Sequence, residues 1–524
     1  MPLRAASLFS LVLAAISLVP PPSRLARIAL VPLDDRPVGL QSAQLAGAIA
    51  DAEVIGPPRY RLGHFTAEGD ADGIAEWLDG LDLTSIDAVI VSTDMLAYGG
   101  QIASRRPSPS QEKALRRVAV LGRLKARRKD VRVYAFSTLL PLQPPEDGRK
   151  GTWKETIVRW AELGGSSARD QKSAAEAQQL EADIPQPMIE LYRTVRARNL
   201  AVTGAALDLA AKGAVDDLVI ITTSSPPRGL AAAEQDDLMA RAASQGITPR
   251  VQVIADADPA ALLLLGRAVG DITGLHPGVV LETGLPTVPP GAESFVQVAG
   301  SALTRQAGSR DLTWLIAGAP ADEAGAAKLA AQAMSLVGAG RRVAIADVAS
   351  GDATGASVPL VEALRNKHLF TRLASYAGGP APAPLASSLV EGLLRVSAAT
   401  RTPAPDAALQ SRLDDAQIIA VLHHLVVDFA YQAVIRRQAV TDYLAAHSMD
   451  PSTLDADQAT RVEAYLTGEI KPLAENLVGD LDDQPMPARG PRKIARQKFR
   501  NLDEFKLRLP WGRLDEVEIS FALK

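Results

Sequence analysis

The sequence predicts an α/β protein with mostly parallel sheets and alternating helices, and three observations support this class. Short aliphatic runs recur along the chain, they lack the polar alternation of half-exposed strands, and longer amphipathic stretches separate them. Strands buried on both faces are continuous apolar runs, and parallel neighbours need a crossover that a helix supplies. Two Rossmann-like halves fit this order, and a (β/α)8-type barrel with extra strands is the alternative.

The predicted strands are short runs rich in Val, Ile, Leu and Ala. In chain order they are Ile28–Leu33, Val54–Ile55, Ala88–Ser92, Val131–Phe136, Leu218–Ile221, Val251–Ile254, Val279–Leu281, Leu312–Ile316, Val343–Ala346 and Leu373–Tyr376. The second run follows the first so closely that an open, two-lobed arrangement is favoured over the barrel.

The stretches between these strands carry the apolar spacing of amphipathic helices. The clearest are Gln41–Ala50, Gly73–Leu78, Gln111–Arg128, Met188–Lys212 and Ala231–Ala243. Beyond Ala377 the pattern changes, because Gly378–Pro384 is a turn-rich segment that suits neither a helix interior nor a strand interior. A long helix is then predicted over Asp414–His447, and the alternation in Val517–Leu523 predicts a final edge strand.

A chain of 524 residues exceeds the size at which one hydrophobic core stops growing. We therefore predict a leader over residues 1–24, an N-terminal α/β domain over 25–270 and a second α/β domain over 271–390. A C-terminal helical region that ends in a strand covers 391–524.

Composition excludes several classes of function. The net charge of −4 argues against a nucleic-acid partner, which favours a basic surface. The absence of cysteine excludes disulfides, iron–sulfur clusters and thiolate-bound zinc. The sequence contains no P-loop, G-x-G-x-x-G, H-E-x-x-H or G-x-S-x-G motif, so no cofactor and no resident metal is predicted.

The first residues resemble a signal peptide. Arg4 supplies a positive charge, and an apolar run from Leu8 to Val19 precedes Pro20. That run is shorter than the roughly 20 residues a membrane span needs, and it suits the apolar region of a signal peptide. We expect a periplasmic or secreted protein with no membrane span after removal of the leader. An uncleaved anchor and a disordered leader are the alternatives.

Polar residues follow the predicted strands, where parallel α/β proteins bind ligands. Asp34, Asp35 and Arg36 precede Pro37 at the end of the first strand, and Asp94 follows the third. Paired carboxylates can act as acid, base or nucleophile, hold Mg²⁺ or Ca²⁺, or hydrogen-bond sugar hydroxyls. We predict catalytic roles for Asp34, Asp35 and Asp94. Because an aspartate after a strand is also a common cap or turn residue, each could instead be structural.

Further candidates belong to the same predicted edge or to the C-terminal helix. Substrate-binding roles are predicted for Arg36, Tyr98, Gly99, Gly100, Arg105, Asp258, Asp347, Asp428, Gln432 and Arg436. The last three recur every four residues, so they share one face of a largely apolar helix. They either complete the site or form an ordinary solvated stripe. The adjacent His423-His424 is interpreted as a structural pair, one side chain buried and one exposed.

Several of these residues belong to segments that resemble the bacterial domain of unknown function 4127. The matching segments are Leu30–Pro37, Asp94–Gly100 with Ser104-Arg105, Asp347–Ala349, Tyr376–Gly378, Tyr431–Ala433 and Leu509–Trp511. The family has no established activity, and its association with glycan-degrading bacteria implies a carbohydrate ligand. This chain departs from relatives at Thr223 and Ser224, where they are acidic, and at Gly379–Pro384, where they carry an Asn-rich loop.

The leading hypothesis is a secreted hydrolase that acts on a glycan or sugar derivative. A non-catalytic sugar- or solute-binding protein is the alternative, and a degenerate member of an enzyme family is a third possibility. The two departures favour the latter two readings, because chemistry done at those positions in relatives would be lost or altered here.

Overall fold

The computed structural model describes residues 24–144, 151–164, 170–222, 229–283, 311–318, 322–349, 351–482 and 501–524. The predicted leader lies outside the described residues except for Arg24, and Thr223 and Ser224 also lie outside them. All statements below concern the described part of the chain.

Two open parallel sheets form the frame of the protein, which confirms the predicted α/β class. The strands of the first sheet are β1 (Ala26–Val31), β2 (Ala52–Ile55), β3 (Ala88–Ser92), β4 (Arg132–Thr138), β5 (Asp217–Ile221) and β6 (Val251–Ile254). Those of the second are β7 (Val279–Thr283), β8 (Leu312–Gly318), β9 (Val343–Val348) and β10 (Ser375–Gly379). Every predicted strand is present.

The barrel alternative is wrong, because neither sheet closes on itself. The six-stranded sheet has the order β2-β1-β3-β4-β5-β6, and the four-stranded sheet has the order β10-β9-β8-β7. Strand β1 is already paired on both sides, with β2 and with β3. The strand order of the first sheet reverses direction between β1 and β3, and such a switch point leaves a crevice at the carboxyl ends of the strands.

Helices follow nearly every strand and cover both sheets. They are α1 (Pro37–Ile49), α2 (Ala71–Asp79), α3 (Thr93–Tyr98), α4 (Gln111–Val118), α5 (Val120–Arg127), α6 (Trp153–Glu162), α7 (Gln171–Asp183), α8 (Gln186–Ala211), α9 (Leu230–Ser244), α10 (Ala260–Thr273), α11 (Glu323–Gly338), α12 (Val358–Asn366), α13 (Ala383–Thr400), α14 (Ala407–His424) and α15 (Ala456–Leu481). Short 3₁₀ turns lie at Arg59–Arg61, Leu83–Ser85, Ala103–Arg105, Thr248–Arg250 and Phe370–Arg372.

One hydrophobic core joins the two sheets. Ile28 and Leu30 of β1 share it with Trp314 and Ile316 of β8, and α1, α10 and α13 contribute the residues between them. The opposite face of each sheet packs on its own set of helices. The domain boundaries remain a prediction. The sheets lie on either side of residue 270, whereas α13 crosses residue 390.

The segment Gly378–Pro384 is more regular than predicted. Gly378 and Gly379 end strand β10, and α13 already begins at Ala383 with Pro384 in its first turn. Proline is tolerated there because the first amides of a helix have no intrahelical acceptor. Gly379 has a φ of +132°, which L-residues with a side chain rarely adopt. The sequence signal marked a junction between two elements.

The predicted long C-terminal helix is present but is partly π-helical. Helix α14 continues through a π-helical segment, Leu425–Ile435, a turn at Arg436–Gln438 and a second π-helical segment, Ala439–Leu444. By length and composition alone, Ala407–Leu444 could cross a membrane, and 56% of its most apolar window is buried inside the protein. It packs against α15 and β10.

The chain ends in an antiparallel hairpin of β11 (Leu502–Arg508) and β12 (Glu518–Leu523). Strand β12 was predicted, whereas β11 was not, since its charged residues hide the pattern and its register shifts between Asp503 and Lys506. Gln41 Nε2 of α1 donates to the Ile519 carbonyl at 2.8 Å. This contact holds the hairpin, and with it the connecting loop 509–517, beside the start of α1.

Candidate functional site

The turn after β1 is built around one arginine held by two aspartates. Arg36 donates from its backbone amide and from Nε to Asp34, at 3.0 and 3.1 Å. Its two terminal nitrogens donate to the two oxygens of Asp258 at 3.2 and 2.7 Å. Arg36 is extended because it precedes Pro37, the first residue of α1. This arrangement joins the β1 turn to the segment after β6.

Burial sets the protonation properties of this group. Burial raises the pKa of Asp34 and outweighs the opposing effect of Arg36. Burial alone would lower the pKa of Arg36, but Asp258 and Asp34 raise it above its ordinary value. A guanidinium that binds two carboxylates in this way is a rigid, charged support rather than a proton donor.

Asp35 points away from Asp34 and anchors the C-terminal hairpin. Trp511 Nε1 donates to Asp35 Oδ1 at 2.7 Å, and His64 Nδ1 lies 2.9 Å from Asp35 Oδ2. Only 6% of the Asp35 side chain is exposed. Its position assigns it a structural task, which is to fix Trp511 and the loop 509–517 against the β1 turn.

The residues after β3 divide between the interior and the crevice. Asp94 is buried and accepts from the Thr138 amide at 2.9 Å, and burial raises the pKa of Asp94 to about 6. Tyr98 is also buried, beneath the Arg198 guanidinium at 4.6 Å from its ring centre. Arg105 is half-buried in a 3₁₀ turn. Asp94 and Tyr98 therefore support the β3 turn from the interior.

Gly99 and Gly100 line the crevice through their backbone. Their φ angles are +87° and +130°, in the region that favours glycine. A Cβ on Gly99 would lie 2.4 Å from the carbonyl oxygen of Gly69, which no adjustment of a side chain can relieve. Glycine is needed here because three backbone segments meet at the crevice floor.

The second sheet contributes a buried carboxyl behind the site. Asp347 Oδ2 accepts from the Ser357 amide at 2.7 Å and from the Tyr376 hydroxyl at 2.8 Å. Asp347 is fully buried, and burial raises its pKa to about 7, with a further contribution from nearby Asp428.

Asp347→Asn is expected to raise the free energy of unfolding relative to wild type, and this gain should be about 1–3 kcal/mol larger at pH 8 than at pH 5. The native protein keeps the Asp347 proton up to about pH 7, whereas the unfolded chain releases it near pH 4, so wild-type stability falls between these values. Asparagine does not titrate, so the stability of the variant should not fall in this way. Urea unfolding at the two pH values measures the difference. The exposed Asp352→Asn is the control, and an equal gain for Asp347→Asn at both pH values would contradict the assignment.

The junction between α14 and the first π-helical segment carries the most unusual group, a histidine between two carboxylates. His424 Nδ1 lies 2.7 Å from Asp428 Oδ2, and His424 Nε2 lies 3.0 Å from Glu391 Oε1. The Gly378 amide also donates to Asp428 Oδ2, at 3.0 Å. Burial alone would lower the pKa of His424, but Glu391 and Asp428 raise it well above its ordinary value. We call Glu391, His424 and Asp428 the histidine triad.

The π-helical geometry explains how Asp428 and Gln432 are placed. The Asp428 carbonyl accepts from the Ala356 amide at 2.8 Å, and the Gln432 carbonyl accepts from Thr354 Oγ1 at 3.1 Å. Both acceptors thus serve the loop after β9 as well as the helix. π-helical turns are rare and concentrate at functional sites.

Two cavities open beside these groups. The first, which we call the histidine cavity, has a volume of about 240 Å³ and is lined by Arg36, Asp258, His424, Asp428, Gln432 and their neighbours. The second, the aromatic cavity, has a volume of about 210 Å³ and is lined by Asp34, Arg36, Phe65, Gly99, Gly100, Trp511, Arg513 and their neighbours. Arg36 lines both.

A third cavity is larger, about 500 Å³, but it is a surface groove beside Asp35. Its wall includes Tyr60, which is 81% exposed, and Arg59, which pairs with Glu518 at 2.6 Å. Groups with strongly shifted pKa values surround the histidine cavity instead, and such groups in a cleft mark candidate sites. The first two cavities are therefore the better candidates despite their smaller volume.

The predicted site residues fall into two groups, those that line one of these two cavities and those that do not. The structure brings Arg36, Asp258, Asp428 and Gln432 to the histidine cavity, and Asp34, Arg36, Gly99 and Gly100 to the aromatic cavity. Asp35, Asp94, Tyr98, Arg105, Asp347 and Arg436 lie outside both linings. Arg436 pairs with Asp515 and donates to Gln432 Oε1 at 2.9 Å, so it orients a residue of the cavity wall.

Sequence reasoning missed His424, Glu391, Phe65 and Trp511. The histidine pair was expected to have one exposed member, but both His423 and His424 line the cavity. The missed signal was the spacing of the stripe, because His424 lies four residues before Asp428 in the series that continues to Gln432 and Arg436. Across the described residues, no cluster of three acidic or histidine side chains has the geometry to hold a metal ion.

Comparison with known proteins leads to one family. The sequence model of the family described as Protein of unknown function (DUF4127) matches residues 28–520. No curated protein matches the chain. Because that match extends from the first strand into the last one, the chain belongs to the DUF4127 family.

Proposed function

We propose that this protein is a hydrolase of a small, hydroxyl-rich substrate of the sugar class, and that Asp428 acts on the substrate in the histidine cavity. The observation that carries the proposal is the histidine triad at the wall of that cavity. Asp428 Oδ2 is held by His424 and by the Gly378 amide, while no hydrogen bond to Asp428 Oδ1 is found among the described residues. That oxygen is available to a ligand.

The triad can supply a proton to the substrate. His424 stays protonated at neutral pH because its pKa is raised, and it lies against Asp428 and the buried Glu391. In the proposed hydrolysis, His424 passes its Nδ1 proton to Asp428, and the Asp428 carboxyl group gives a proton to the leaving oxygen as the C–O bond breaks. The Asp258 carboxylate takes a proton from the water whose oxygen bonds to carbon.

The lining favours a sugar over an anion. Arg36 is already neutralised by Asp34 and Asp258, so the cavity offers paired charges rather than a free cation. Asp258, Asp428 and Gln432 present acceptors and an amide, which suit a ligand with many hydroxyl groups. The implied carbohydrate association of the family agrees with this choice. The leader predicted over residues 1–24 supports a periplasmic or secreted location, where glycans are available.

The proposal differs from the sequence hypothesis in its catalytic residues. Asp34, Asp35 and Asp94 lie outside the lining of the histidine cavity, whereas Asp258 and Asp428 belong to it. The binding-protein alternative shares this cavity and lacks turnover. A substitution of Asp428 tests whether the cavity hydrolyses its ligand or only binds it.

Asp428→Asn is expected to lower turnover by about 10²-fold or more while a bound sugar still raises the melting temperature. Asparagine keeps an acceptor for His424 and Gly378 but cannot carry the proton. A thermal-shift screen of the mature protein against sugars and amino-sugar derivatives identifies a ligand, and a turnover assay follows. The control is Asp442→Asn, an exposed residue of the same long helix.

The outcomes are distinct. Binding without turnover in the wild type supports the binding-protein alternative. No shift with any sugar, in protein that melts cooperatively, contradicts the proposed function.

A further inference from the structure

The two cavities meet at a single side chain. Arg36 lines both, with Asp258 on the side of the histidine cavity and Asp34 on the side of the aromatic cavity. Because Arg36 is fixed by both aspartates, it forms a rigid post between the cavities. Their volumes, about 240 and 210 Å³, are nearly equal. A ligand with two units of similar size could therefore place one unit in each cavity, with the bond between them beside Arg36.

The aromatic cavity has a different character from its neighbour. Phe65 stands on its rim with 36% of its surface exposed, although large apolar side chains are usually covered. Its ring lies 5.3 Å from the Trp511 ring and 5.0 Å from the Arg513 guanidinium. Mutual hydrogen bonds between the backbones of His64 and Ala67, at 3.0 and 2.8 Å, close the turn that presents it.

The backbone of Phe65 is also unusual. Its φ is +49°, a left-handed conformation that is uncommon for a bulky residue. Such conformations cost free energy and persist where the surrounding structure enforces them, often at ligand sites. The turn therefore holds an exposed aromatic ring over the cavity at an energetic cost.

We propose that the aromatic cavity is a second subsite, in which Phe65 packs against a second ring of the ligand, so that the substrate is a disaccharide or a longer glycan whose linkage passes Arg36. This inference rests on the proposed function and specifies its substrate. A pyranose ring has an apolar C–H face and a polar edge. Phe65 matches the face, while Asp34 and Arg36 match the edge.

Charge in this cavity again favours a neutral ring. Arg513 binds both oxygens of Glu516 at 2.5 Å, and Arg36 is held by Asp34 and Asp258. Neither arginine needs an anionic ligand to balance it. The floor is made of glycine backbone at Gly63, Gly99 and Gly100, which leaves room for a ring.

The test compares chain lengths by calorimetry. The probes are glucose with maltose and cellobiose, galactose with its β-1,4-linked dimer, and N-acetylglucosamine with its β-1,4-linked dimer. For at least one pair, the disaccharide is expected to bind about tenfold more tightly than the monosaccharide, a factor that corresponds to about 1.4 kcal/mol. Phe65→Ala should remove most of this difference, because it should weaken binding of the disaccharide more than binding of the monosaccharide.

Two controls keep the result interpretable. Tyr60→Ala removes an aromatic ring from the adjacent surface groove and should leave the difference intact. Phe65→Leu retains apolar volume without the flat ring and should give an intermediate loss. The melting temperature of each variant establishes that it is folded.

Each outcome counts for or against the subsite. Monosaccharide binding that chain length does not improve, or an equal effect of Phe65→Ala on both lengths, overturns the second subsite and leaves the proposed function standing. Absence of binding by every probe overturns the proposed function and the subsite with it.

Discussion

Replacement of His424 by leucine is expected to lower the free energy of unfolding by about 3–5 kcal/mol, the usual cost of removing one partner from a buried ion pair. Glu391 and His424 have side-chain exposures of only 5% and 15%. Without the imidazolium, Glu391 and Asp428 would be two carboxylates close together with no counter-charge. Equilibrium unfolding in urea measures the loss.

The matched control is His447→Leu, an exposed histidine that follows the same long helix. It should change stability by less than about 0.5 kcal/mol. Adding Glu391→Gln to His424→Leu should recover part of the loss, because it removes one of the two uncompensated charges. A His424→Leu variant as stable as the control would mean that the triad is not charged in the folded protein.

The raised pKa of His424 also predicts how its contribution to stability changes with pH. The folded pKa of His424 is raised above the unfolded value near 6.5, so its stabilising contribution is fully present below pH 6.5. It is lost as pH rises through the elevated folded pKa. The stability difference between wild type and His424→Leu should therefore be largest below pH 6.5 and shrink as pH rises from there towards the elevated folded pKa.

Arg36→Met is expected to abolish sugar binding and to destabilise the protein by about 3 kcal/mol. The variant removes the guanidinium that both Asp34 and Asp258 depend on, and it opens the wall between the two cavities. Arg36→Lys should be intermediate, because an ammonium keeps the charge but cannot make both paired contacts. Melting curves with and without the ligand from the sugar screen measure both effects.

Arg59→Met provides the comparison for Arg36. Arg59 is 46% exposed and pairs with Glu518 at 2.6 Å on the surface groove. A surface ion pair contributes at most about 1 kcal/mol, so this variant should remain stable and bind ligand normally. If Arg36→Met also binds ligand normally, Arg36 is not the post between two subsites.

The strands show how much of the fold can be predicted from a local sequence pattern. The runs around Ile28, Val89 and Ile345 are apolar because both sheet faces are covered, and burial on both faces is visible in a single segment of sequence. Strand β11 was not predicted, because Asp503, Glu504 and Lys506 hide its apolar alternation and the bulge breaks its register. Pairing with β12 stabilises it, and pairing is not a property of the segment alone.

The candidate site was predictable in part. The polar turn Asp34–Pro37 and the stripe from Asp428 to Arg436 were visible because a strand end and a helix face have fixed spacing. Which aspartate faces the cavity was not visible. Asp34 and Asp35 are neighbours in sequence, yet one binds Arg36 and the other binds Trp511, some 476 positions away.

The sequence by itself determined the α/β class, the strands of both sheets, the long C-terminal helix and the family. These follow from periodicity and from segments that can be read locally. Only the tertiary structure decided that the sheets are open, that Glu391 of α13 reaches His424, and that Trp511 lies beside both Arg36 and Phe65. The physical reason is that a side chain's partners depend on how distant elements pack. Burial and charge pairing between them, which no single segment encodes, set the chemistry of the site.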